Sequence, residues 1–290
     1  MAREVEIISA ACGVGAGDPG TADAPEALWS AGVLGRFSDA GSRMLARSPI
    51  RPGADPASDK LGAVARIATE LAARVHSAVR QRRFPLVIGG DHSIAIGTWS
   101  GVSASFPAGG RLGLIWIDAH LDSHTFDTTP SRNLHGMPLA CLLGHGEPEL
   151  TGVGRQQPKV LPPDLCVIGA RSFEPEELGL LQSLGVRIFF MPEIRSRGVM
   201  AVFEEAVARV TRQTFGFGLS FDVDVFDPSE EPGTGLPVAG GLFKHEVLRA
   251  LAPLRTDPRL LAMEIVEYNP HRDTGLATAH AVHELISAVL

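Results

Sequence analysis

An α/β fold built on a parallel sheet is the architecture that the 290-residue sequence predicts, on three observations. Short β-type runs alternate with amphipathic helical stretches along the whole chain. Most of the strand candidates are near-continuous apolar runs, the mark of strands covered on both faces. Polar clusters rich in His and Asp stand directly after several of these runs, at the carboxyl ends of strands, where open α/β sheets bind ligands.

The elements follow in order. Val5–Ala10 reads as the first strand. A Gly-rich loop covers 13–20, and Pro25 opens a helix behind Thr21 and the acids, the usual first-turn chemistry. A Pro/Asp/Ser loop fills 51–60. Residues 61–83 carry Val64, Ile67, Leu71, Val75 and Val79 at helical spacing and form the longest helix candidate. Further strands are expected at 84–88, 112–117, 165–169, 186–190, 218–223 and Leu260–Val266. Helices are expected between and after them, at 94–103, 137–143, Pro175–Leu184, 199–212, 244–254 and Ala277–Val289. No internal repeat and no linker-like change of composition interrupts the pattern, so one domain across residues 1–290 is expected.

Charge and cysteine usage narrow the function classes. A net charge of −7 is wrong for coating nucleic acid or an anionic membrane. No apolar run approaches the ~18 residues of a membrane span. Glu4 and Glu6 fall where a signal peptide would carry its apolar core. Cys12, Cys141 and Cys166 stand far apart without metal or redox spacing, which suggests buried thiols in a reducing compartment, hence a cytoplasmic protein.

Three clusters carry the chemistry. The first is Gly89-Gly90-Asp91-His92-Ser93, whose glycines allow a sharp exit from the sheet and so present His92 above the strand end. In the second, Asp118-Ala119-His120-Leu121-Asp122, residues two apart share a face of an extended chain, so Asp118, His120 and Asp122 should converge. The third is Ser220-Phe221-Asp222-Val223-Asp224, where Asp222 and Asp224 share a face among apolar neighbours. Like charges in apolar surroundings raise each other's pKa, and a cation removes the problem. Two His and four Asp are too many for one Zn²⁺, which usually takes four ligands. They suit two divalent ions bridged by carboxylates, and oxygen-rich ligation with some imidazole favours Mn²⁺. Water held between two such ions is a nucleophile near neutral pH. His135 in Asn133-Leu134-His135-Gly136-Met137-Pro138, and Glu267 in Val266-Glu267-Tyr268-Asn269-Pro270, gain weight if they line the same crevice.

With these segments in view the chain resembles the ureohydrolases, the family of arginases, agmatinases and relatives, and among them the arginases. The matching segments are GGDHS (89–93), DAHLD (118–122), NLHGMP (133–138), SFDVDVFDP (220–228), PGTGLPVAGG (232–241) and VEYNP (266–270), in the family's order and spacing. The resemblance implies a three-layer α/β/α domain around a mostly parallel, about eight-stranded sheet. Only seven strands are apparent in the sequence, so an eighth is expected near 42–45.

It also implies two Mn²⁺ ions per chain, with Ni²⁺ and Co²⁺ as the other candidates. The first ion would take His92, Asp118, Asp122 and Asp222; the second would take His120, Asp118, Asp222 and Asp224. The implied reaction is hydrolysis of a guanidino compound to urea and an amine. Asp122 would pass a proton to the leaving amine, His135 would relay protons to solvent, and Glu267 would pair with the guanidinium. Homo-oligomers, trimers or hexamers, are the family's habit.

The substrate's far end is where this chain departs from arginases. His124 stands where they usually carry Asn, Arg132 where they carry Gly, Glu174 where they carry Asp, and Leu236 where a Thr commonly contacts substrate. Thr129 and Ser131 match carboxylate-contacting positions, and Glu177 keeps its place near the α-ammonium. Donors (His124, Thr129, Ser131) together with acids (Glu174, Glu177) suit an α-amino acid. L-Arginine, giving L-ornithine, is therefore expected first, an ω-guanidino acid such as guanidinobutyrate or guanidinopropionate second, and agmatine third. A mononuclear-zinc deacetylase-like hydrolase and a non-catalytic scaffold are the competing classes. The doubled Asp motifs argue against the first, and His135 with Glu267 against the second.

Overall fold

The computed structural model describes residues 3–35, 44–46, 48–53, 56–154 and 158–290. In chain order it contains β1 (Val5–Ala10), α1 (Ala24–Ser30), β2 (Met44–Ala46), α2 (Lys60–Arg80), β3 (Phe84–Gly89), α3 (Ala95–Ser103), β4 (Gly113–Ile117), α4 (Pro138–Leu142) and α5 (Pro148–Thr151). The second half adds β5 (Leu165–Ile168), α6 (Pro175–Leu184), β6 (Arg187–Phe189), α7 (Met191–Arg197), α8 (Val199–Val210), β7 (Phe217–Asp222), α9 (Lys244–Leu251), β8 (Leu260–Val266) and α10 (Ala277–Val289).

The eight strands form one sheet in the order β2-β1-β3-β8-β7-β4-β5-β6. Every strand pairing in it is parallel. The eighth strand is β2, which overlaps the expected position; Ser42 and Arg43 lie outside the described residues.

Strand periodicity explains the layers. Val5 and Ile7 pack into one core and Ile8 and Ala10 into another, as do Leu86 and Ile88 against Val87. Side chains alternating across the pleat therefore feed two apolar cores, one on each face. The first core is closed by residues of α1, α8, α9 and α10, the second by residues of α2, α3 and α4. In α2 the apolar stripe of Val64, Ile67, Leu71 and Val75 is buried, and Asp59 caps the helix by accepting from the Gly62 amide. This helix ends at Arg80 rather than at 83, because Arg82 turns into the left-handed region at φ 59°. The short helices α5 and α7, each with a proline in its first turn, add to the expected elements because they are shorter than the periodicity a sequence can display.

Sheet order is what builds the crevice. The chain leaves β3 and re-enters the sheet at β4, and β7 and β8 later fill the gap between them. Four adjacent central strands, β3, β8, β7 and β4, thus end side by side, about 4.8 Å apart. Each is followed by one of the polar segments singled out above.

Candidate metal centre and active site

After β3 the chain turns sharply. Gly90 runs so close to the β1 exit that a Cβ there would sit 1.7 Å from the Cys12 carbonyl oxygen, so only glycine fits. Asp91 then caps the turn, accepting from the Ser93 amide at 3.0 Å and the Gly15 amide at 2.9 Å. His92 is left fully buried with its ring flat on Trp116 of β4.

His92 Nδ1 faces three carboxylates: Asp118 Oδ2 at 3.2 Å, Asp122 Oδ2 at 3.1 Å and Asp222 Oδ2 at 3.2 Å. It makes no well-formed hydrogen bond to any of them. The other ring nitrogen, Nε2, lies 3.0 Å from Ser220 Oγ, which donates at 2.8 Å to the buried Glu264. With Ser220 Oγ–H committed to Glu264, Nε2 is the protonated nitrogen and Nδ1 carries the lone pair a metal needs.

Asp118 and its neighbours converge, but not as an extended face. The segment leaves β4 as an irregular turn, and Asp122 adopts φ 45°, a left-handed conformation unusual for a side-chain-bearing residue. Asp222 and Asp224 likewise sit on a short 3₁₀ turn, where Asp222 Oδ1 accepts from the Asp224 amide at 2.8 Å. The residues that the period-two argument named do converge, but turns that commit carboxylate oxygens to backbone amides bring them together, not a shared strand face.

Two overlapping groups result. Ligand atoms of His92, Asp118 and Asp222 lie within 4.8 Å of one another, as do those of Asp118, His120 and Asp224. Asp118 belongs to both. Its Oδ2 also receives Trp116 Nε1 at 2.9 Å and its Oδ1 the His120 amide at 2.7 Å. His120 Nδ1 sits 2.9 Å from Asp224 Oδ2. Burial, with the charges of Asp224 and Asp118, pushes the Asp222 carboxyl well above the usual range. Burial and Asp118 raise Asp122 to about 6. Crowded buried acids around an imidazole lone pair form a donor set that fits divalent cations.

A cavity of about 350 Å³ opens on this cluster. His120, Asp122, Asp222 and Asp224 line it together with His135 and Glu267; His92 and Asp118 are fully buried behind them. Glu267, at φ 63°, holds its carboxylate in place through the His92 amide, which donates to Oε1 at 2.8 Å. His135 Nδ1 meets the same oxygen at 3.0 Å. Burial favours the neutral His135 ring, but the Glu267 charge prevails and raises it to about 9.

His124, Thr129, Ser131, Glu174, Glu177 and Leu236 also line the cavity. Their hydrogen bonds separate their roles. Thr129 and Ser131 accept from the backbone amides of Arg132 and Asn133 at 3.0 and 3.2 Å, which leaves both hydroxyl protons available. Both oxygens of Glu177 are engaged, by the Ser123 amide at 3.2 Å and the Glu174 amide at 3.0 Å. His124, expected as a carboxylate donor, has both nitrogens occupied: Nδ1 at 3.0 Å from Thr128 Oγ1 and Nε2 at 3.1 Å from Glu174. Arg132 lies over the Phe126 ring, 5.0 Å from its centroid. His124, Glu174 and Glu177 also come within 4.8 Å of one another, and the hydrogen bonds just given account for that grouping.

Sequence reasoning missed the supports: Trp116, Ser220 and Glu264. A lone acid in an otherwise apolar strand, as Glu264 is in β8, was the available signal.

A sequence model described as the Arginase family matches residues 3–290. The arginase of Bacillus caldovelox is 38% identical over 295 residues, covering 99% of this chain and 98% of its own. The mitochondrial arginase-2 of Rattus norvegicus is 35% identical, with 99% of this chain and 84% of its own covered. Among solved structures, the arginase from Bacillus subtilis superposes with a TM-score of 0.93 at 34% identity, covering 99% of this chain and 98% of its own. A match along nearly the whole length, with the paired Asp and His residues gathered at the carboxyl ends of the central strands, places this chain in the arginase family.

Proposed function

We propose that residues 1–290 form one ureohydrolase domain that cleaves L-arginine to urea and L-ornithine with two Mn²⁺ ions. The observation that carries this reading is the shared Asp118, which joins two ligand groups beside a cavity also lined by Glu267. His92, Asp118, Asp122 and Asp222 would hold one ion, and His120, Asp118, Asp222 and Asp224 the other. The ion pair, when bound, supplies a water acidic enough to act as a nucleophile near neutral pH.

The protein's own groups do the rest. Glu267 Oε1 is committed to His92 and His135, so its Oε2 is the oxygen that pairs with the guanidinium and turns its carbon toward the metal ligands. Hydrolysis breaks the bond between that carbon and the side-chain nitrogen, so the leaving amine needs a proton. Asp122, which lines the cavity beside the cluster, is the carboxyl placed to carry one across. His135 moves the next proton between cavity and solvent. Thr129 and Ser131 donate to the substrate carboxylate, and Glu174, the more exposed of the two acids, meets the ammonium.

The same reading makes the protein a cytoplasmic homo-oligomer, trimer or hexamer. Cys12, Cys141 and Cys166, buried and unpaired, suit a reducing compartment. No helix among the described residues is long and apolar enough to cross a membrane.

The test is urea release by the Mn²⁺-loaded protein across L-arginine, agmatine, 4-guanidinobutyrate, 3-guanidinopropionate and guanidine. Arginine should have the highest kcat/KM. Agmatine ahead of arginine by about tenfold, a transition-state preference of ~1.4 kcal/mol, overturns the substrate assignment. One Zn²⁺ per chain would overturn the chemistry.

A further inference from the structure

We propose that His124 is a positioning residue: its imidazole holds Glu174 where the substrate's α-ammonium group arrives, and so favours α-amino guanidino acids over guanidino acids that lack the amine. This rests on the arginine-cleaving reading and assigns a job to a residue that reading leaves idle.

Two acids line the far side of the cavity, and they are not equivalent. Glu177 has a side chain only 4% exposed, and both its oxygens serve backbone amides at the start of α6. Glu174 precedes α6 and its side chain is 52% exposed. Its side chain takes part in the capping box at the start of α6, accepting from the Glu177 amide, and a long glutamate still loses rotamer freedom when a ligand fixes its carboxylate. A contact that fixes it beforehand lowers that cost.

His124 supplies the contact from a rigid seat. It is 6% exposed, and its backbone amide donates to the Gly136 carbonyl at 2.9 Å. Thr128 Oγ1 lies 3.0 Å from His124 Nδ1, accepts from the Thr125 amide at 3.0 Å and faces the Thr125 carbonyl at 3.4 Å. A carboxylate oxygen can only accept, so Nε2–H is the donor to Glu174 Oε2 at 3.1 Å. One chain of bonds, Thr125 to Thr128 to His124 to Glu174, fixes the acid on one side. A carboxylate offers about four acceptor positions, so its exposed side stays open to a cation.

Two isosteric replacements separate the ring's two ends. In His124→Gln the side-chain amide reaches about as far as Nε2 and keeps the bond to Glu174. In His124→Asn it reaches only as far as Nδ1 and keeps Thr128 alone. For L-arginine, His124→Asn should raise KM about tenfold, the weight of a hydrogen bond to a charged group, with kcat within about twofold of wild type. L-Ornithine, measured by calorimetry, should lose affinity in step. His124→Gln should stay close to wild type on both counts. 4-Guanidinobutyrate has no ammonium, and its KM should not move in either variant. Mn²⁺ content and the melting temperature are measured alongside.

Three results would overturn the proposal while leaving the arginase reading intact. They are unchanged arginine KM in His124→Asn, an equal rise for 4-guanidinobutyrate, or lost Mn²⁺ in that variant, which would put His124 in the support of the metals. A wild-type protein that releases no urea from arginine fails the underlying reading itself, and the proposal with it.

Discussion

Trp116 lies flat on His92, with ring centroids 4.0 Å apart and planes inclined by 7°. The same indole donates from Nε1 to Asp118 Oδ2 at 2.9 Å. One side chain therefore orients an imidazole from the β3 exit and the carboxylate shared by both ligand groups, although β8 and β7 lie between their strands. On its other edge the imidazole meets Ser220, which is anchored on Glu264. His92 Nδ1 is aimed at the carboxylates by groups that are themselves fixed.

Glu264 is the anchor to test. It is fully buried and accepts from Thr98, from Trp99 Nε1 at 3.2 Å and from Ser220 at 2.8 Å. Trp99 Nε1 can only donate, so Glu264→Leu leaves it and the Ser220 hydroxyl without their acceptor. We expect a loss of about 1–3 kcal/mol in stability, the cost of an unsatisfied buried group. Because Ser220 loses its anchor, Mn²⁺ should bind about 10–100-fold more weakly. Urea denaturation and a metal titration measure the two effects, and a variant as stable and as metal-avid as wild type would show that this chain of bonds carries no weight.

The bridging assignment predicts an asymmetry among the aspartates. Asp118→Asn removes an anion from both ligand groups and should loosen both ions. Asp222→Asn should do the same if Asp222 bridges as proposed. Asp224 belongs to the second group alone, so Asp224→Asn should chiefly affect one ion. Elemental analysis after dialysis reads this directly. Two tightly held ions in Asp222→Asn would sink the bridging role.

Much of this site was legible in the sequence because its parts are local. Asp118, His120 and Asp122 fall within five consecutive residues, and a strand end before them is enough to place them in the crevice. That His92, Asp222 and Glu267 join them follows from sheet order, which the strand runs alone do not give; the family resemblance supplied it. The occupancy of hydrogen bonds was beyond reach. His124 read as a donor for substrate, yet its two nitrogens are spoken for by Thr128 and by Glu174, fifty positions away. Glu177 read as an anion for substrate, and the backbone amides that hold each of its oxygens could not be read from the sequence. Residue type tells what a side chain can do, and neighbours decide whether it is free to do it.

Glu231 gives a pH signature away from the metals. It is buried, its Oε2 has no hydrogen-bond partner, and its Oε1 lies 3.3 Å from Lys244 Nζ, which is also 3.1 Å from Glu284. Burial outweighs the attraction of the shared lysine and raises the Glu231 carboxyl to about 7. A carboxyl whose folded pKa exceeds its unfolded value, about 4.3, contributes stability that is fully present below the unfolded value and lost as pH rises through the folded one. Wild type should therefore lose stability relative to Glu231→Gln between about pH 4.5 and pH 7, and level off above. Taking the difference between the two proteins cancels groups that titrate in both. A difference that is flat across this range, from denaturation midpoints at several pH values, would show that Glu231 is already ionised in the folded protein.

His135 is the remaining test, because its role is the one that geometry separates most cleanly from metal binding. It belongs to neither ligand group, and its ring contacts Glu267 Oε1 rather than a ligand carboxylate. Its own backbone amide donates to the Gly15 carbonyl at 3.2 Å, so the main chain should keep its path when the side chain changes. In His135→Asn the side-chain amide reaches as far as Nδ1 did and can keep the contact to Glu267 Oε1, and the His92 amide still holds that oxygen at 2.8 Å. The guanidinium-facing carboxylate therefore stays in place and the substrate KM should change little. What disappears, on the role proposed for it, is a group that binds and releases protons between cavity and solvent, since an amide does not titrate. General acid–base groups contribute about 10²–10⁴-fold, so kcat should fall by that order with both Mn²⁺ ions retained. Small diffusible imidazoles added to the assay should restore part of the rate by carrying the proton instead. If the variant loses metal, His135 belongs to the support of the cluster; if it keeps metal and full kcat, the proton leaves by another route.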